Sequence, residues 1–217
     1  MNYLEKIINL IYPNVCGFCD KIYKNNICKK CELSIEKKIL ANINYYTNDK
    51  YFNKHLYIFK YEGIIREKLI DYKFNDKSYM YKAFGEIMLK NKKIFGFLKN
   101  YDIIIPVPIH KKRKKDRGYN QTELISKYVS NHINTLENLN DLLIKNTNTV
   151  PQSILNGEER KNSVKEIYET KDIDRIKSKK VLLMDDIYTT GSTVNECARM
   201  LRMGNPKILD VITIAKD

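Results

Sequence analysis

Apolar positions along the chain follow two periods. Helical spacing puts Leu4, Ile7, Ile8 and Ile11 on one face and Ile64, Ile65, Leu69 and Ile70 on another. It predicts a short leading helix that packs on the body, a helix over Gly63–Phe74, and others over residues 79–90, 119–132 and 193–202. Between them lie short β-branched or fully apolar runs at 56–61, 102–107, 180–184 and 208–215, with briefer strands at 142–145 and 166–170. Pro106 and Pro108 close the second run, because proline cannot donate to a ladder. Strands alternating with helices predict an α/β fold, a mainly parallel sheet with helices on both faces. Ligands of such sheets sit beyond the carboxyl ends of the strands.

At 217 residues with 43% hydrophobic and 30% charged positions, the chain can bury a core, which excludes wholesale disorder. No apolar run approaches the roughly 20 residues of a bilayer-crossing helix. The N-terminus has no basic leader and no small-residue cleavage site, so it does not read as a signal peptide and a cytoplasmic protein is expected. Lys and Arg total 39 against 26 Asp and Glu, a net charge of +13. That invites a polyanionic partner. A chain crowded with Lys, Asn and Ile and lacking Trp can reach this charge by compositional bias alone, so local charge must decide.

The cysteines supply the first local chemistry. Cys16 and Cys19 form one C-x-x-C pair and Cys28 and Cys31 a second, while Cys197 stands alone and reads as a buried helix residue. Two such pairs can place four thiolates around one tetrahedral ion, and a reducing compartment favours zinc over disulfides. The alternative is redox-active or incidental pairs. Closed four-ligand zinc would be structural, within a module spanning about residues 12–36 that is too small to fold without its metal.

The densest signal is VLLMDDIYTTGST, residues 181–193. A buried strand delivers Asp185 and Asp186, then a small-residue turn opens a helix. Backbone amides from Thr189 to Thr193 and the hydroxyls of Thr189, Thr190, Ser192 and Thr193 can surround a phosphate, and Gly191 permits close approach. The acids would accept hydrogen bonds from sugar hydroxyls or help to hold a Mg²⁺ carried by a diphosphate. The competing reading is an acidic helix cap followed by ordinary loop threonines. In His110–Arg117 six of eight residues are Lys or Arg. Read as a loop, this run can neutralise a diphosphate or track a nucleic-acid backbone; otherwise it is merely solvated. Lys111, Lys112, Arg113, Arg117, Asn120 and Gln121 are its candidate ligand residues. Residues 146–163 are polar and unperiodic, as functional or mobile segments are. Tyr188 and Tyr119 are placed to stack on a base, and Lys73 is a weaker site candidate.

Residues 181–193 resemble the 5-phosphoribosyl 1-diphosphate (PRPP) motif of type I phosphoribosyltransferases, and the whole chain resembles the ComF family within that fold. The resemblance rests on Tyr12-Pro13, the four paired cysteines, Tyr61…Gly63…Lys73-Phe74, IIPVPIHKKRKKDRGYNQ, and Gln152…Arg160…Asn162. Lys145 and Lys216 depart from it, standing where the family shows Arg. It implies two parts: residues 1–41 as leading helix and zinc module, and 42–217 as a phosphoribosyltransferase-like domain. It implies PRPP with Mg²⁺ on Asp185 to Thr193, and a loop carrying Gln152 and Arg160 that closes over the ligand. It further implies natural transformation, with single-stranded DNA handled on the cytoplasmic side of the uptake channel and a competence helicase or other DNA-uptake proteins as partners. Two other functions stay open: a working transferase that displaces diphosphate from PRPP onto an unknown acceptor, and a non-catalytic PRPP-sensing regulator.

Overall fold

The structure is a computed structural model describing residues 13–47, 49–146 and 167–217. The expected leading helix lies outside these residues, as do Gln152 and Arg160. Eight strands are described: β1 (Asn42–Tyr45), β2 (Lys54–Lys60), β3 (Ile103–Pro106), β4 (Glu137–Asn138), β5 (Leu143–Lys145), β6 (Tyr168–Thr170), β7 (Lys180–Tyr188) and β8 (Ile208–Lys216). Six form one sheet in the order β1-β2-β8-β7-β3-β4, while β5 and β6 make a separate antiparallel pair. Only β1 runs antiparallel in the main sheet; every other neighbour is parallel. The chain is therefore α/β with a mainly parallel sheet.

The sequence of β7 explains its central place. Successive side chains of a strand point to opposite faces, so an unbroken apolar run needs cover on both. Val181 and Leu183 share a core with Val194, Cys197 and Leu201 of the helix Ser192–Arg202, which also meets Tyr168 of β6. Leu182 and Met184 share the opposite core with helices on the other face. Those are α2 (Gly63–Phe74), α3 (Met80–Lys90), α4 (Lys92–Leu98) and α6 (Gln121–Ser130). They follow α1 (Lys29–Glu36) and flank α5 (Lys111–Arg117); Ser192–Arg202 is α7.

The cysteine-rich segment joins the α2–α4 core. Phe18 meets Phe84 of α3 edge to face at 5.7 Å, and Ile27 and Ile35 are buried beside it. Gly17 is needed for closeness here: a Cβ on it would lie 2.6 Å from the Ala83 Cβ. Asp20 is tied to the α2–α3 connection through Lys77 (2.7 Å) and the Tyr79 hydroxyl (2.6 Å).

Several elements escaped the hydrophobic pattern. β1 reads NINY and lies half-exposed at the sheet edge, so it has no apolar run to reveal it. α4 starts where the Asn91 side chain accepts hydrogen bonds from the amides of Lys93 and Ile94. Lys111–Arg117, expected as a loop, is a helix. It buries nothing and so shows no periodicity. Local chemistry makes it instead: the His110 ring accepts from the Lys112 amide at 3.2 Å, and Gly118 closes the helix at φ +82°.

Candidate functional site

The carboxyl ends of β3 and β7 open onto a pocket of about 350 Å³. Pro106 ends β3, and the Val107 amide still donates to the Met184 carbonyl at 2.8 Å, so the Val107–Ile109 turn is held against β7. Behind that turn, Asn120 Nδ2 and Thr122 Oγ1 both donate to the Val107 carbonyl, at 3.0 and 2.9 Å. Asn120 also caps α6 by accepting from the Thr122 amide. Asn120 and Gln121 are buried and line the pocket, yet these polar atoms are spent on the scaffold. Their expected role as ligand contacts becomes one of positioning.

Asp185 and Asp186 lie within β7, which runs on to Tyr188, and not beyond its end. The pleat sends them to opposite faces. Asp186 meets Lys73 of α2 at 2.8 Å. Asp185 faces the α7 side, accepting from the Asp186 amide at 2.8 Å. Burial, and next the charge of Asp186, raise the Asp185 carboxyl to about 7; that amide, Lys73 and Lys145 oppose the shift. Both acids line the same pocket, so a ligand there meets one carboxylate from each side of the sheet.

Thr189, Thr190 and Gly191 connect β7 to α7. Gly191 is the residue before α7 and has φ +75°. A side chain there would overlap Tyr188 Oη and Cζ. Thr189 and Thr193 line the main pocket, and with Gly191 and Ser192 they also wrap a hollow of about 20 Å³ beside Asp185. That is room for roughly one water or one phosphate oxygen. Thr190 and Ser192 hydrogen-bond to each other through their hydroxyls at 3.0 Å and are exposed.

Among the described residues, four cations reach the pocket: Lys73, Arg113, Arg117 and Lys145. Arg117 is steadied by donating to Gln121 Oε1 at 2.6 Å. Lys145 lies over the Tyr168 ring at 5.3 Å; burial, then the charge of Arg113, lower its ammonium. Lys111 and Lys112, expected as ligand residues, sit on the exposed face of α5 and do not line the pocket. Neither tyrosine expected to stack is free to do so. Tyr188 is 6% exposed and stacks on His55 at 4.3 Å. Tyr119 stacks on Tyr72 at 5.6 Å, and its hydroxyl donates to the Tyr72 carbonyl. Lys145 had no motif signal beyond its place where a family arginine was expected. Tyr61, Phe74 and Tyr168 also line the site; only folding reveals that they meet.

In the segment that leads into and begins α1, Cys16, Cys19, Cys28 and Cys31 bring their sulfurs within 4.8 Å of one another. Cys19 and Cys28 Sγ are 3.8 Å apart. An ion with sulfur ligands at about 2.3 Å in a tetrahedron needs edges of about 3.8 Å. The Cys28 amide points at Cys16 Sγ from 3.3 Å. This cluster can hold a metal ion. Cys197 is buried in α7, as expected.

No protein-family model matches the chain. It is 26% identical over 198 residues to competence protein F of Haemophilus influenzae, covering 83% of this chain and 86% of that protein. It is 26% identical over 202 residues to competence protein ComFC of Bacillus subtilis, covering 91% and 74%. It is 22% identical over 193 residues to the DNA utilization protein YhgH of Escherichia coli K12, covering 86% and 83%. Among solved structures, the allosteric regulatory enzyme of purine biosynthesis matches 61% of the chain at 17% identity and a TM-score of 0.39. UMP synthase of Leishmania donovani matches 80% at 16% identity and a TM-score of 0.31. The chain spans 25% and 28% of those two longer chains. No described helix is long and apolar enough to cross a membrane.

Proposed function

The chain is a relative of the ComF competence proteins, and from that premise we propose that it serves DNA uptake from the cytoplasmic side, binding PRPP with Mg²⁺ in the pocket and single-stranded DNA beside it. The observation that carries this reading is convergence. Among the described residues, two carboxylates, four cations and the Thr189–Thr193 turn meet at one sheet edge around about 350 Å³. Phosphate fits the amides at the start of α7, whose dipole favours negative charge. The ring hydroxyls of the pentose would donate to Asp185 and Asp186, and Arg113, Arg117 and Lys145 would balance a diphosphate. Hard carboxylate oxygens suit a Mg²⁺ that arrives on phosphates, and when bound that ion would neutralise part of the diphosphate charge. Lys73 holds Asp186 in the free protein, so the sugar must displace this ammonium.

Single-stranded DNA is supported by α5, where Lys111, Lys112, Arg113 and Lys115 project into solvent next to the pocket. A competence helicase or other uptake protein would be the macromolecular partner. We assign zinc to the four sulfurs as a structural ion and read residues 1–41 as the leading helix and zinc module, with 42–217 as the ligand-binding domain. Calorimetric titration with PRPP and Mg²⁺ tests the pocket. Saturable one-to-one binding is expected, lost in Asp185→Asn with Asp186→Asn. Equal heats in that variant and the parent protein would refute the assignment.

A further inference from the structure

Phe74 is out of place for a core residue. It ends α2 with 70% of its surface exposed, at the mouth of the pocket, although burying such a ring would be worth about 1.5–3 kcal/mol. Nor does it sit on a loose end. Two residues earlier the Tyr72 carbonyl accepts from both the Tyr119 hydroxyl and Gln121 Nε2, and the intervening Lys73 is tied to Asp186 at 2.8 Å. Beyond it, Asn75 Nδ2 donates to Asp71 Oδ1 at 2.8 Å. The guanidinium of Arg117 lies 5.4 Å from the Phe74 ring centroid, itself held by Gln121. A fixed aromatic ring is thus presented to solvent, backed by a cation and next to the exposed lysines of α5.

We propose that Phe74 is a base-stacking platform: one unpaired nucleobase of a single strand lies on its exposed face while the adjoining phosphates run along Lys111, Lys112 and Lys115. The proposal rests on the nucleic-acid half of the function above and deepens it by naming where the strand meets the pocket. Charge complementarity selects the occupant. An apolar protein partner would gain from the ring but not from a lysine row that has no ion pair among the described residues, whereas a single strand supplies both a flat π-face and phosphates at short spacing. The mode tolerates any sequence, because every base has such a face, and it rejects duplex, whose faces are already stacked.

The test uses the full chain with fluorescent single-stranded, duplex and abasic oligonucleotides over a salt series. Phe74→Leu keeps an apolar side chain at an exposed position and should weaken single-strand binding about 5- to 150-fold with an unchanged salt slope. Phe74→Trp should restore it. Duplex binding should not respond to either substitution. An abasic strand should bind the parent protein weakly and be indifferent to Phe74→Leu. Lys111→Gln with Lys112→Gln should instead flatten the slope by about 0.7 per lost phosphate contact. If the lysine variant flattens the slope but Phe74→Leu binds like the parent, the platform is wrong and the DNA reading stands. If the parent protein binds no single strand at all, both fall.

Discussion

Gly191→Ala concentrates the account of the phosphate turn in one methyl group. Gly191 has φ +75°, a region that costs an L residue about 1–2 kcal/mol. The added Cβ would also overlap Tyr188 Oη and Cζ. Tyr188 cannot easily swing aside, since it is 6% exposed and stacked on His55, whose Nε2 is 2.8 Å from Thr213 Oγ1 inside the sheet. Overpacking of this kind costs about 1–3 kcal/mol. Together the two effects reach about 2–5 kcal/mol, a fall in Tm of roughly 4–20 °C for a chain of this size. If the loop yields in place of the ring, stability falls less but the turn opens and PRPP no longer raises Tm. Gly96→Ala is the control: it lies within a helix with no atom within 4 Å of the added Cβ, and should be neutral or stabilising by up to about 1 kcal/mol. Differential scanning fluorimetry with and without PRPP and Mg²⁺ reads both effects. A Gly191→Ala protein with parental Tm and a parental ligand response would refute the reasoning.

Two more outcomes follow from the same structure. The charges of Asp186, Lys73 and Lys145 act on Asp185, whose own charge reaches the Cys197 thiol, and burial followed by the Asp186 charge raises its carboxyl to about 7 against about 3.9 in the unfolded chain. Between those values the folded state holds the extra proton, so ligand-free stability attributable to Asp185 declines as pH rises from about 4 to 7 and levels off above. Urea unfolding from pH 4.5 to 8 should show this decline in the parent protein and not in Asp185→Asn; parallel profiles would contradict it. For the cysteine cluster, one zinc per chain is expected by metal analysis. Because Phe18, Ile27 and Ile35 share a core with α3, chelation should lower the Tm of the chain as a whole, and an unchanged Tm after zinc removal would argue against a structural ion.

Much of the frame was legible before folding, for identifiable reasons. The run Val181–Met184 has to be buried on both faces, and the spacing of Ile64, Ile65, Leu69 and Ile70 announces the helix to Phe74. Pattern fails where burial does not shape the element. The basic helix α5 has no buried face, and the edge strand β1 has no apolar run, so neither shows a period. At the site, the acids and the small-residue turn were visible because their chemistry is local to a few residues. Lys145 and Phe74 stood out only by their place in the family pattern; that they share the pocket was not visible, since they come from elements distant in sequence that only the packed sheet brings to one edge. Tyr188 and Tyr119 mark the opposite error: an aromatic inside a motif looks available until its neighbours, His55 and Tyr72, are seen against it.

Co-crystallisation with PRPP and Mg²⁺ addresses the phosphosugar pocket most directly. The 5-phosphate should rest against the amides of residues 189–193, with the ring hydroxyls on Asp185 and Asp186 and Lys73 displaced from its 2.8 Å contact. Density for the compound at any other place on the chain, with the Lys73–Asp186 pair intact, would contradict the account.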